Sequence, residues 1–200
     1  MGELDTKAIV VGLGGTMRPG SSSEQALRSA MERIERKGVT TVLFTGEALM
    51  LPIYDPATRQ STPGSTHIVE MIRRAAGVLI ASPCYHGSVS GLVKNSLDYI
   101  EETAGDPRPY LDGKAVGLIG CGFGNQGPTM VLSQLRSITH SLRGWPVPMG
   151  VAINTAVTKF DNGAWNDTNV DTQLSIMADQ VVEFIQSVSG RQQRSEAVGA

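Results

Sequence analysis

Charge of one sign is missing from this sequence: 17 lysines and arginines stand against 19 aspartates and glutamates, a formal net charge of -2, with no long run of either sign. Such a balance removes the electrostatic case for nucleic acid or an anionic membrane as partner and leaves a small neutral or anionic ligand. No apolar stretch approaches the length of a membrane span, and the first residues, MGELDTKAIVV, put acidic side chains before a short apolar run rather than a positive n-region. No membrane association is expected, and the expected location is cytoplasmic. Cysteine is scarce as well. Cys84 and Cys121 lie far apart, with no CxxC and no His/Cys cluster at zinc spacing, so neither a disulfide framework nor a metal site is expected.

What the chain does have is enough apolar content, 40% of 200 residues, to bury one full core. Short apolar runs at 7–13, 39–44, 77–82, 115–120 and 147–153 alternate with amphipathic segments at 22–36, 66–75, 90–102, 129–142 and 170–188. Near-continuous apolar strands alternating with helices indicate an α/β fold with a doubly wound, five-stranded parallel sheet covered on both faces. One domain is expected over 1–188. Asn169 or Asp171 is the expected cap of the last helix, and the patternless polar segment 189–200 reads as a flexible tail.

In such a sheet, ligands bind beyond the carboxyl ends of the strands, which directs attention to three loops. The first is GLGGTMRPGSSS, residues 12–23. Read as a dinucleotide fingerprint from Gly12, it has Met17 where the third glycine belongs; read as a P-loop from Gly15, it has Ser21 where the lysine belongs. Arg18, Gly20 and the hydroxyls of Ser21, Ser22 and Ser23 remain, directly before a helix whose free N–H groups favour an anion. A cradle for one terminal phosphate and an ordinary serine-capped helix both fit that pattern.

The second loop, Pro83 to Ser88, excludes other chemistry. Val89 stands where a G-x-S-x-G elbow needs its serine, and Ser90 stands where a C-x5-R phosphate loop starting at Cys84 needs its arginine. Neither cysteine has a basic neighbour in sequence to activate it, and of His67, His86 and His140 only His86 falls in a site loop. No catalytic side chain emerges.

Taken together, the loops resemble a known family. Gly15-Thr16-Met17-Arg18-Pro19-Gly20-Ser21-Ser22-Ser23 is similar to the G-S-x-R-x-x-S-x-N/S signature of the NADPH-dependent FMN reductases. Ser82 to Asp98, SPCYHGSVSGLVKNSLD, resembles that family's T-P-x-Y-x-x-S-x-S/P-G-x-L-K-N-x-x-D block, and Gly120 to Gly127 resembles its third, glycine-rich loop. Thr16 in place of serine and Ser23 in place of asparagine depart from the pattern while keeping hydrogen-bonding groups. Residues 154–169 match no motif.

The resemblance implies a flavodoxin-like fold with strand order 2-1-3-4-5, FMN as cofactor and NAD(P)H as co-substrate. It implies Arg18, Ser21 and Ser23 at the FMN phosphate, with Thr16 and Ser22 beside them. Pro83, Cys84, Tyr85, His86, Gly87 and Ser88 are implied at the isoalloxazine edge, and Gly122, Phe123, Gly124 and Gly127 where backbone N–H groups approach the ring. Hydride transfer to flavin needs positioning and backbone electrostatics rather than a nucleophile, which agrees with the absence of one. By the same analogy the chain would be a homodimer or homotetramer and would supply reduced flavin to a monooxygenase or another small-molecule acceptor. The alternatives are an FMN-containing quinone, azo-dye or metal-ion reductase, and a non-catalytic flavodoxin-like electron carrier or flavin-binding module.

Overall fold

A computed structural model describes residues 8–198. Five parallel strands, β1 (Ile9–Gly14), β2 (Thr40–Phe44), β3 (Gly77–Tyr85), β5 (Ala115–Gly122) and β6 (Trp145–Asn154), are ordered β2-β1-β3-β5-β6, and the two-residue β4 (Ser88–Val89) folds back antiparallel on β3. In parallel strands alone this is the expected 2-1-3-4-5 arrangement. Five helices, α1 (Ser22–Glu35), α2 (Pro63–Arg74), α3 (Gly91–Asp98), α4 (Gln126–Ser141) and α5 (Thr168–Val198), cover the two faces, and a separate small hairpin pairs β7 (Phe160–Asp161) with β8 (Ala164–Trp165).

The sheet is apolar on both sides because successive residues of a strand feed opposite cores. On one face Val10, Leu79, Ile119 and Val151 pack under α1 and α5; on the other Val11, Val78, Ile80 and Leu118 pack under α2, α3 and α4. β6 ends the sheet, and Pro146 and Pro148 in its first half deny ladder donors to a further strand, a common guard on an exposed edge.

Element bounds move where side chains cap or extend what periodicity shows. α2 begins at Pro63 rather than 66, because Thr62 and Ser65 form a reciprocal capping box with proline in the first turn. α4 begins at Gln126, and β3 runs on to Tyr85 because β4 pairs with its end. The cap of α5 is neither Asn169 nor Asp171: Asp167 accepts the Asn169 N–H through Oδ1 at 2.9 Å, and its carbonyl accepts from the Asp171 N–H. The helix continues past 188 to Val198 through a segment in which the good helix formers Arg, Gln, Glu and Ala predominate. Lys7, the expected first strand residue, and residues 199–200 of the expected tail lie outside the described residues.

Candidate active site

The first loop is shaped before it reaches Arg18. A Cβ on Gly14 would lie 2.2 Å from the Ala81 carbonyl oxygen, and the Gly15 N–H donates to that same oxygen at 3.2 Å, so the chain leaves β1 pressed against β3. The Thr16 hydroxyl then closes a turn, donating to the Arg18 carbonyl at 3.2 Å and accepting the Arg18 N–H at 3.1 Å. Ser21 caps α1, accepting the Glu24 N–H. The Glu24 carboxylate, itself paired with Arg28, accepts the Gly20 N–H at 3.0 Å and pins the loop from beneath. The N–H groups of Ser22 and Ser23 find no acceptor among the described residues, and the exposed Arg18 guanidinium has no ion-pair partner there. Unspent helix-terminal donors beside a free guanidinium form an anion site.

The second loop is a hairpin. His86 (φ 51°) and Gly87 (φ 80°) occupy its two central positions, both left-handed, as a two-residue type I′ connection requires. Gln134 of α4 holds it: Oε1 accepts from the Ser88 hydroxyl (3.0 Å) and the Val89 N–H (3.1 Å), and Nε2 donates to the Gly87 carbonyl (2.9 Å). The third loop is organised by Asn154 at the end of β6. Its Oδ1 accepts from the N–H groups of Gly124 (2.9 Å) and Ala156 (3.0 Å), and its Nδ2 donates to the Asn125 side chain (2.8 Å). Gly122 and Gly127 are small for packing reasons, since a Cβ on either would come within 2.9 Å of Cys84.

These loops enclose a cavity of about 470 Å³ at the carboxyl ends of the strands, within the ~300–1,000 Å³ usual for small-molecule and cofactor sites. Thr16, Arg18, Ser21, Ser22 and Ser23 line one part of it; Pro83, Cys84, Tyr85, Gly122 and Phe123 line the rest. Its polar end therefore offers a cation and helix donors, and its other end an apolar and aromatic wall. Tyr85 is 54% exposed and Phe123 88%, leaving two aromatic rings at the mouth. His86, Gly87 and Ser88 stand at the hairpin tip beyond the lining, Gly124 is turned toward Asn154, and Gly127 is tucked against Cys84.

Cys121 and Thr155 also line the cavity and were not expected there, and Gln134 and Asn154 were not expected to hold the loops. Burial pushes the Cys121 thiol up to about 12, so it stays neutral and is no nucleophile. Among the described residues no group of His, Cys, Asp and Glu is placed to hold a metal, and no helix is long and apolar enough to cross a membrane.

The family model for NADPH-dependent FMN reductases matches residues 9–158, which contain all three loops. The chain belongs to that family. Curated relatives described as FMN-dependent NADPH-azoreductases are 34% identical: that of Staphylococcus haemolyticus over 119 residues (58% of this chain, 60% of the relative), and that of Staphylococcus aureus over 111 residues (54% and 55%). The matched part thus spans little more than half the length of these relatives. Among solved structures, a Paracoccus denitrificans flavoenzyme described as an NAD(P)H:(acceptor) oxidoreductase superposes with a TM-score of 0.70 at 20% identity, covering 90% of this chain and 98% of that one. An apo NADH:FMN oxidoreductase gives 0.68 at 21% identity (90% and 89%), and a flavodoxin from Streptococcus pneumoniae gives 0.56 at 14% (88% and 99%). At these identities a flavodoxin-like fold is what the structures share.

Proposed function

We propose that this chain is an NAD(P)H-dependent FMN reductase and that FMN lies in the cavity at the carboxyl end of the sheet. The observation that carries this reading is the division of that cavity: Arg18 and the free N–H groups of Ser22 and Ser23 at one end, the Pro83–Tyr85 and Gly122–Phe123 wall at the other. Those donors suit one terminal phosphate through charge-assisted hydrogen bonds, and the wall suits a flat heteroaromatic ring. The polar end has a single arginine, which matches a mononucleotide better than a pyrophosphate-bridged dinucleotide.

When bound, FMN supplies a ring that accepts hydride and passes electrons on. The chain's own residues do the rest. Arg18, Ser22 and Ser23 hold the phosphate; Thr16 and Glu24 keep their loop in shape; Tyr85 and Phe123 flank the open face where a nicotinamide enters. The N–H groups of His86 and Gly87, at the hairpin tip beside the cavity-lining Tyr85, find no acceptor among the described residues and would favour negative charge on a ring edge that reaches them. Gly124 makes a different contribution from the one its position suggests, since its N–H is already given to Asn154. The wall excludes water from the transfer.

The identity with FMN-dependent NADPH-azoreductases favours a second reading on the same site, reduction of an azo or quinone acceptor by retained FMN. Reduced flavin delivered to a monooxygenase is the other fate of the electrons. Large apolar side chains exposed away from the cavity lining, Ile53, Trp145 and Met130, support a homo-oligomer that covers them, and two free cysteines fit a cytoplasmic setting. Steady-state NAD(P)H oxidation by purified protein decides among these. Turnover only with added free FMN supports the flavin reductase, turnover with an azo dye or quinone by a yellow protein supports the second reading, and an inert protein refutes both in favour of a flavin-binding module.

A further inference from the structure

We infer that Gln134, which lies outside all three loops, is a positioning residue for the flavin edge; the inference rests on the flavin reading above. β4 is two residues long and among the described residues pairs with no strand other than β3, so the hairpin tip has little hold of its own. One amide side chain, more than forty residues away in sequence, supplies three hydrogen bonds to it, at the Gly87 carbonyl, the Ser88 hydroxyl and the Val89 N–H. An amide is the group that accepts two bonds on its oxygen while donating from its nitrogen; glutamate keeps only the acceptor, and methionine of similar length keeps neither.

The consequence falls on the two turn residues. The bond to the Gly87 carbonyl holds the Gly87–Ser88 peptide toward α4 and so anchors one side of the turn, whose His86 and Gly87 N–H groups have no acceptor among the described residues and stand next to Tyr85, which lines the cavity. His86 is a non-glycine residue in left-handed backbone, a conformation that persists only when its surroundings impose it. Without the Gln134 amide the tip samples other arrangements, and apparent affinity for a ring that needs one of them falls by the fraction lost. Donors at the ring edge matter more for reduced than for oxidised flavin, because reduction adds negative charge there.

The test compares wild type with Gln134→Met and Gln134→Glu, reading FMN dissociation constant by fluorescence quenching, the reduction potential of bound FMN, and thermal unfolding without flavin. The expected result is a dissociation constant about tenfold weaker in Gln134→Met, a smaller loss in Gln134→Glu, and a potential lowered by about 30 mV per tenfold loss of preference for reduced over oxidised FMN. A lowered melting temperature with wild-type affinity and potential in both variants shows a merely structural amide and overturns the inference. Wild type that binds no FMN overturns the flavin reading and this inference with it. If Gln134→Met fails to fold, Gln134→Glu alone decides: unchanged affinity and potential overturn the inference.

Discussion

Gly14 has no room for a side chain, and that fact changes how the opening loop should be understood. The glycines at 12 and 14 mimic the start of a dinucleotide fingerprint, yet a Cβ at Gly14 would strike the Ala81 carbonyl, and one at Gly12 would crowd Leu43 and Met31. Sheet packing demands them, and the ligand-facing part of the loop begins only at Thr16. Gly14→Ala is therefore expected to destabilise the fold by on the order of 1–3 kcal/mol, as overpacking does, seen as a lower urea midpoint; an unchanged midpoint contradicts the close approach. At this scale the location of the loop was legible: ligands bind beyond the carboxyl ends of the strands in such a sheet, and Thr16, Arg18 and the three serines line the cavity there. The hydroxyl use of Thr16 was not legible, because a threonine next to a turn reads the same whether it faces a ligand or its own backbone.

Elements show where sequence reading loses hold. Apolar runs located the five parallel strands, since a strand buried on both faces must be apolar throughout. The hairpin at Tyr85–Ser88 lacks the usual sequence signal, because its turn is His86-Gly87 rather than the Asn-Gly or Asp-Gly that marks a two-residue connection. The amides of Gln134 and Asn154 reach the Gly87 carbonyl and the Gly124 N–H across 47 and 30 residues of sequence, and only folding brings them to those partners. Residues 154–169 match no family motif, yet Asp161-Asn162-Gly163 marks a turn there, and Asn162 and Gly163, both left-handed, close the β7–β8 hairpin, whose Trp165 is buried and donates to the Ser29 hydroxyl of α1. For the third loop, Asn154→Ala removes the acceptor of two backbone N–H groups. A loss of about 1–3 kcal/mol of stability is expected, with faster hydrogen exchange at Gly124 and Ala156. Unaltered exchange at both amides contradicts the role given to Asn154.

Across the whole molecule, the two ends of the sheet hold different cavities. The carboxyl ends carry the one lined by Arg18; near the opposite end a cavity of about 630 Å³ is lined by Arg73, Arg108 and Lys114, and Lys114 is only 8% exposed, donating to the carbonyls of Arg73 and Ala75 where α2 stops. Burial, with the nearby Arg108 guanidinium adding to it, pushes this ammonium down to about 8. The unfolded chain holds the proton up to about 10.5, so between those values it binds more protons than the folded one, and the Lys114 contribution to stability rises with pH. Relative to Lys114→Met, wild type should gain on the order of 1–3 kcal/mol between pH 8 and 10.5. Taking the difference is necessary because Cys121, held up by burial, has the opposite effect above pH 9, where the unfolded thiol ionises. A pH-independent difference contradicts the burial of a charged Lys114.

Whether the cavity holds a flavin mononucleotide by its phosphate is decided by a binding comparison between FMN and riboflavin, which lacks that phosphate. Wild type should bind FMN more tightly than riboflavin, and Arg18→Ala should weaken FMN by about 1.5–3 kcal/mol, the range for a hydrogen bond to a charged group, while leaving riboflavin affinity as it was. Equal affinity of wild type for the two flavins, or an Arg18→Ala variant that loses both equally, would contradict a hold by the phosphate.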